Sequence, residues 1–340
     1  MADTIKLNEL KPGDLILYEA DYSDFISSTI AYLTHSTVTH TALSDFNPAY
    51  IMEEGNKFAS RIPIDPPGSR VMHILRLKNA PDTSKVDDIA MKYVEAKLPY
   101  PDANLVLLGL YIIIGDFIPD TITGDIIKNI LRLITYELIK FCNKIKSPDS
   151  DVPPMVCSEF ATFCYDEAAV SYGPEYKIHY NEKVNTISSL IKRIIDQLIA
   201  DPDKTFKSHH ILGAEAPEND SAEASSDKLK MYCEQLIAHK SESHPEIGSA
   251  KEISDDIIMA IYNFAKWFLK AFDKDTSSEK SVETSPVVTA EEVRTLLEKF
   301  LRFQEAFVTP EDIYSNSTNL DNLGVLTYSE EDIAEYNTTE

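Results

Sequence analysis

Glycine is scarce in this chain, 10 in 340 residues, which leaves little room for a glycine-rich loop that would cradle phosphates. Basic residues are also few: 32 Lys and Arg stand against 56 Asp and Glu, a net charge of −24. Such a surface repels phosphate backbones and anionic headgroups, which argues against nucleic acid as a partner. The 4 cysteines (Cys142, Cys157, Cys164 and Cys233) do not make a disulfide framework in a chain this long and fit a reducing compartment. His209 and His210 have no Cys or carboxylate at ligand spacing, so neither a metal nor another cofactor is expected. No apolar run is long enough for a membrane span. The longest, residues 105–114, is closed by Asp116 and Pro119 and reads as a buried helix, with interfacial lipid contact as the alternative. The opening MADTIKLNELKPGD has no basic stretch followed by an apolar one. The expectation is therefore no secretory leader and a cytoplasmic location, with delivery into another cell as the open alternative.

What is present is enough apolar material, 43% of residues, for one large core or two ordinary ones. Residues 14–18 (DLILY) follow a Pro-Gly turn and read as a strand. Residues 23–33 carry apolar side chains at helical spacing, and extended pieces follow near 40–44, 49–54 and 71–77. Ser84, with Asp87 three residues on, has the pattern of a capping box for a helix through Lys97. A long amphipathic helix is expected at 125–146, a rigid loop at 147–154, and a helix at 155–169. Short strands without regular βαβ alternation predict an α+β class. After about residue 180 the pattern becomes helical, at 187–199, 226–239, 254–272 and 289–307, the last opened by a Thr289/Glu292 capping box. The acidic, Ser-rich stretches 214–228 and 273–286 read as linkers.

Three residues attract chemical attention. Cys157 falls in the first turn of a helix introduced by Pro153 and Pro154, a place where proline loses nothing by lacking an N–H. A helix N-terminus favours a thiolate and offers N–H groups to an oxyanion. The same cysteine is equally at home as a small buried hydrophobe. Residues 45–48 read as a four-residue hairpin loop, which pairs Ser44 with Ala49 and sets His40 directly across from Glu53. A carboxylate beside an imidazole orients the ring and stabilises its charged form; a plain cross-strand polar pair is the alternative. Cys164 shares its helix face with Phe160, Ala161 and Ala168 and reads as core. Glu54 is expected on the opposite face from Glu53, His73 is a strand residue without an obvious partner, and Trp267 reads as core or as an inter-helix contact.

Several short motifs, in order, resemble one family. Pro12-Gly13-Asp14-Leu15-Ile16 resembles the "PGD plus apolar" opening of the circularly permuted NlpC-type (YiiX-like) branch of the papain-like cysteine hydrolases. Residues 27–42, SSTIAYLTHSTVTHTA, resemble its histidine motif, with the catalytic base at His40 and not His35. Ile51-Met52-Glu53-Glu54-Gly55 is similar to the strand whose polar residue orients that histidine. Leu98-Pro99-Tyr100-Pro101-Asp102 is similar to the family's "G-x-P-Y-D", with Lys97-Leu98 in place of the expected glycine. Met155-Val156-Cys157-Ser158-Glu159-Phe160 resembles the nucleophile motif, and Thr309-Pro310-Glu311-Asp312-Ile313 the closing segment.

The resemblance implies a permuted papain-like core with an antiparallel sheet packed on helices. It implies a catalytic domain at 8–175, completed by a return segment at 306–328, around an inserted helical module at 180–305. It further implies a Cys157–His40–Glu53 triad, with Asp14, Tyr100 and Ser158 in substrate-binding or supporting places. The substrate would be peptide-like or an acyl lipid. The alternative is a catalytically silent scaffold that binds a protein partner through the acidic helical module. Family members linked to the cell envelope carry export signals, which this chain does not display, and the 180–305 module has no counterpart in the motif pattern.

Overall fold

A computed structural model of the chain describes residues 3–54, 58–79, 82–97, 103–114, 121–144, 155–181, 189–207, 222–242, 252–272, 287–329 and 332. The strands are β1 (Thr4–Lys6), β2 (Leu15–Glu19), β3 (Val38–Ser44), β4 (Tyr50–Glu54), β5 (Ala59–Pro63), β6 (Met72–Leu77), β7 (Thr205–Lys207), β8 (Val287–Thr289) and β9 (Leu320–Thr327). The helices are α1 (Phe25–Thr34), α2 (Ser84–Ala96), α3 (Ala103–Ile114), α4 (Thr121–Lys144), α5 (Cys157–Tyr172), α6 (Ser189–Ala200), α7 (Ala222–Glu242), α8 (Asp255–Phe272) and α9 (Ala290–Ala306). The class is mixed α+β.

Seven strands form one sheet in the order β1-β9-β6-β2-β3-β4-β5, antiparallel except for the parallel pair β1 and β9. Because successive side chains of a strand point to opposite faces, β2 feeds two cores. Leu15 and Leu17 pack with α2 and α5; Ile16 and Tyr18 pack on the other face with Leu7, Leu10 and Ile74. Burial on both sides explains why DLILY reads as an unbroken apolar run rather than an alternating one. The last strand, β9, lies between β6 and β1, so the end of the described chain is woven into the sheet built near its start.

Local signals account for two of the helix starts. Asp24 caps α1 by accepting from the Ser27 N–H at 2.7 Å. Thr289 and Glu292 satisfy each other's backbone at the head of α9, at 2.7 and 3.2 Å. The expected Ser84/Asp87 box does not form. Thr83 occupies the N-cap, Asp82 accepts from the Ser84 N–H at 3.0 Å, and Asp87 is buried. Residues 222–228, read as linker, are the first two turns of α7, and 273–286 lie outside the described residues, as does 147–154.

A third core belongs to the helices. Its members include Ile30 and Leu33 of α1 and the apolar face of α3 from Val106 to Ile113. They also include Ile127, Ile130 and Ile134 of α4, and the aromatic group Phe264, Phe268, Phe272 and Phe300 of α8 and α9. Gly109 on α3 lies against the Phe264 ring, leaving no space for a β-carbon there. The expected boundary near residue 180 does not divide this packing: α3 and α4, from the first half of the chain, share one core with α6–α9. Among the described residues no helix is long and apolar enough to cross a membrane. Trp267 is half-buried against this core, with the Lys270 ammonium 4.5 Å from its ring.

Candidate active site

The turn at Pro12-Gly13-Asp14 anchors the helix that carries the cysteine. Gly13 has φ +81, and a β-carbon there would meet the Thr83 carbonyl at 2.6 Å, so only glycine fits. Its carbonyl accepts from the Tyr165 hydroxyl of α5 at 2.5 Å. Asp14 is buried and fully engaged, accepting from the Lys11 N–H at 2.8 Å and from two Arg76 nitrogens at 2.7 and 2.6 Å. That is a structural clamp, and it leaves no free carboxylate oxygen for substrate. Ser158 is likewise used structurally: its hydroxyl donates to the Val308 carbonyl at 2.7 Å and ties α5 to the segment before β9. Tyr100 lies outside the described residues.

The β3–β4 connection is longer than the sequence suggests. Asp45 accepts from the Asn47 N–H at 2.7 Å and from Arg61 at 2.6 and 2.9 Å, while Asn47 accepts from the Ala49 N–H at 3.1 Å. These side-chain bonds hold residues 45–49 in a loop, and Ser44 pairs with Ile51 rather than Ala49. His40 and Glu53 are therefore offset along the sheet and not directly opposite. A slip of two residues keeps every side chain on its original face. His40 still reaches Glu53, with Nε2 and Oε2 2.6 Å apart.

Cys157 is the first residue of α5, after Val156 in an extended conformation. Its sulfur lies near enough to the His40 ring to act on the charge of that ring. Burial by itself would lower the His40 pKa, but the Glu53 carboxylate and the Cys157 sulfur outweigh it and hold the ring well above its ordinary value. Burial would likewise raise Glu53; His40, with Arg70 further off, holds it below the usual carboxylate range. The first N–H groups of α5 have no intrahelical partners and face the end of the helix where an oxyanion would form.

The surroundings contain residues that the sequence did not single out. Tyr18 is the cross-strand partner of His40, their rings 5.7 Å apart, and the Arg70 guanidinium lies 4.3 Å from the Tyr18 ring. The pairing of β2 with β3 brings them together, and no short motif announces it. Tyr111 of α3 is buried within electrostatic reach of Cys157, and burial holds its hydroxyl pKa well above the ordinary value. Cys157 is 0% exposed and His40 9%, and Cys157 shares a core with α3 and Phe307. His73 has a partner after all: its Nε2 is 2.9 Å from Glu19 Oε1, and its ring packs on Tyr314. Glu54 is fully buried and Cys164 sits in the core between α5 and the sheet. Among the described residues no group of three or more His, Cys, Asp or Glu is placed to hold a metal; His209 and His210 lie outside them.

No protein-family model matches this chain, and no curated protein matches its sequence.

Proposed function

We propose that the protein is a thiol hydrolase or acyltransferase of the permuted papain-like kind, acting on an amide or (thio)ester bond. The observation that carries this reading is the Glu53 carboxylate 2.6 Å from the His40 ring, with the Cys157 sulfur near enough to help hold that ring in its charged form. A core cysteine has no need of an imidazole, still less of a buried carboxylate behind it. The order His40, Glu53, Cys157 on strand, strand and helix N-terminus supports the permuted arrangement.

In the reaction the Cys157 sulfur attacks the carbonyl carbon and its proton resides on His40. The oxyanion rests against the N–H groups at the head of α5, and His40 returns the proton to the leaving amine, alcohol or thiol as the C–N, C–O or C–S bond breaks. Water or an acceptor nucleophile, deprotonated by His40, then attacks the thioester and releases Cys157. Glu53 keeps the ring oriented throughout. Cys157 is fully buried, so its sulfur has to become accessible before a carbonyl can reach it. The apolar α3, which shares a core with Cys157, leans toward an acyl group, and a peptide-like substrate remains the other member of the class.

The complete burial of Cys157 favours a second reading, a silent scaffold that keeps the fold and binds a protein through its acidic helical module. Labelling with a thiol-directed acyl probe separates the two. The enzyme reading expects selective labelling of Cys157, lost in Cys157→Ala and strongly slowed in His40→Ala. Equal, slow labelling of several cysteines, indifferent to His40, would support the scaffold.

A further inference from the structure

Four side chains form a row across neighbouring strands of the sheet. Strand β6 lies beside β2, β2 beside β3, and β3 beside β4. Arg70 just before β6, Tyr18 on β2, His40 on β3 and Glu53 on β4 follow one another in that order. Tyr18 and His40 are direct cross-strand partners, with ring centroids 5.7 Å apart and planes tilted by 46°. Just past this pair, between Tyr18 and Glu19, the β2–β3 register shifts, an irregularity of the kind that re-aims side chains beside active sites.

The Tyr18 ring is itself held in place. The Arg70 guanidinium lies 4.3 Å from its centroid, where the ring quadrupole attracts a cation. Arg70 is anchored in turn: its Nε donates to Asp65 at 2.8 Å, and the Asp65 main-chain carbonyl accepts from the Tyr328 hydroxyl. Tyr18 is fully buried, and its hydroxyl has no hydrogen-bond partner among the described residues. Its contacts within the row therefore run through the ring. Burial, with the Asp65 and Glu53 carboxylates nearby, keeps that hydroxyl neutral, so it does not titrate alongside the imidazole. The bond to Glu53 restrains His40 at one nitrogen and leaves the imidazole free to rock about that point. A fixed ring beside it removes that freedom.

We propose that Tyr18, pinned by Arg70, is a positioning residue for His40, its ring keeping the imidazole turned toward the Glu53 carboxylate. Glu53 restrains His40 from the β4 side and Tyr18 from the β2 side. The ring matters and the hydroxyl does not. What the imidazole is positioned for rests on the hydrolase reading, while the contact itself is measured without turnover.

Histidine-selective isotope labelling of the full chain lets each imidazole be titrated by NMR, with His40 assigned by the signal missing from His40→Gln. Glu53 and Cys157, which act on the charge of that ring from β4 and α5, stay in place in every other variant. Tyr18→Leu should lower the His40 midpoint by about 0.4–0.7 pH unit, the worth of one aromatic contact to a cation. It should also lower kcat for an activated ester by about 10-fold, with KM little changed. Tyr18→Phe, which keeps the ring, should restore both. In the wild type, cross-relaxation between the Tyr18 and His40 ring protons should be present, and its absence overturns the proposal whether or not Tyr18→Leu folds. A midpoint unmoved by Tyr18→Leu, or moved as far by Tyr18→Phe, would overturn it too. A midpoint that moves as expected in a protein without esterase activity upholds the positioning and counts against the hydrolase reading alone.

Discussion

Around the sheet, three carboxylates are largely buried and each is held by a basic partner: Asp14 by Arg76, Asp45 by Arg61, and Glu53 by His40. In the helical body the ion pairs of Lys128, Lys204 and Arg294 have exposed acidic partners, 41–73% accessible, and the interior is Leu, Ile and Phe. Apolar packing is tolerant, because hydrophobic side chains of similar volume exchange at modest cost. Buried polar pairs are not, since removing one partner strands the other in a medium that cannot solvate it. The sheet therefore specifies positions, while the helical body supplies volume and cover.

The largest effect that could break this contrast is chemical. Cys157→Ser keeps the size of the side chain and should lower turnover of an activated ester by several orders of magnitude, with little change in melting. Early melting, with activity lost only in proportion to the unfolded fraction, would make Cys157 a packing residue like any in the helical core.

Next comes the cost of breaking a buried pair. Arg76→Ala should destabilise the fold by about 3–5 kcal/mol in urea unfolding, because it strands Asp14. Thr289→Ala, which removes only the exposed cap of α9, should cost about 1 kcal/mol. Comparable losses would erase the distinction between the two regions. Cys164→Ser falls between them at about 1–3 kcal/mol, from a hydroxyl in an apolar core, and should leave the rate per folded molecule unchanged.

The smallest expected change is a displacement on the pH axis. Glu53→Gln removes the charge that helps hold His40 above 6.5, so the limb of the pH–rate profile that reports the ring should move to lower pH, by about 1–3 units. The same pair has a stability signature. His40, raised in the folded state, stabilises fully below 6.5 and loses that contribution as pH climbs through its folded value. Glu53, lowered, stabilises fully above 4.5 and loses its contribution as pH falls through its folded value. The melting difference between wild type and Glu53→Gln should therefore be greatest between those two values. A flat difference would mean that the pair is not charged in the folded protein.

Much of this molecule was legible from local patterns. The periodicity of 23–33, 254–272 and 289–307 marks helices found within about two residues of those limits, because one apolar stripe suffices to define a helix that packs on a core. The Thr289/Glu292 cap and the Pro-Gly turn before β2 are also local. The Ser84/Asp87 pattern failed because Asp87 is drawn into the interior by packing, which a four-residue signature does not contain. The linker reading of 222–228 failed for a related reason: composition is polar there, yet α7 is held by its apolar face against α1 and α4.

Sequence alone determined which residue types stand at His40, Glu53 and Cys157, and that two lie on strands and one opens a helix. Their meeting was decided by tertiary structure. The Asp45–Arg61 contact lengthens the β3–β4 loop and shifts the register by two, and only the pleat's period of two keeps His40 and Glu53 on one face. Strand β9 returns to pair with β6 and β1 across most of the chain, a contact paid for in loop entropy that no local window can register. The burial of Cys157 is equally non-local: it shares one core with Tyr111 of α3 and Phe307 of the return segment, residues with no spacing that a linear pattern could express.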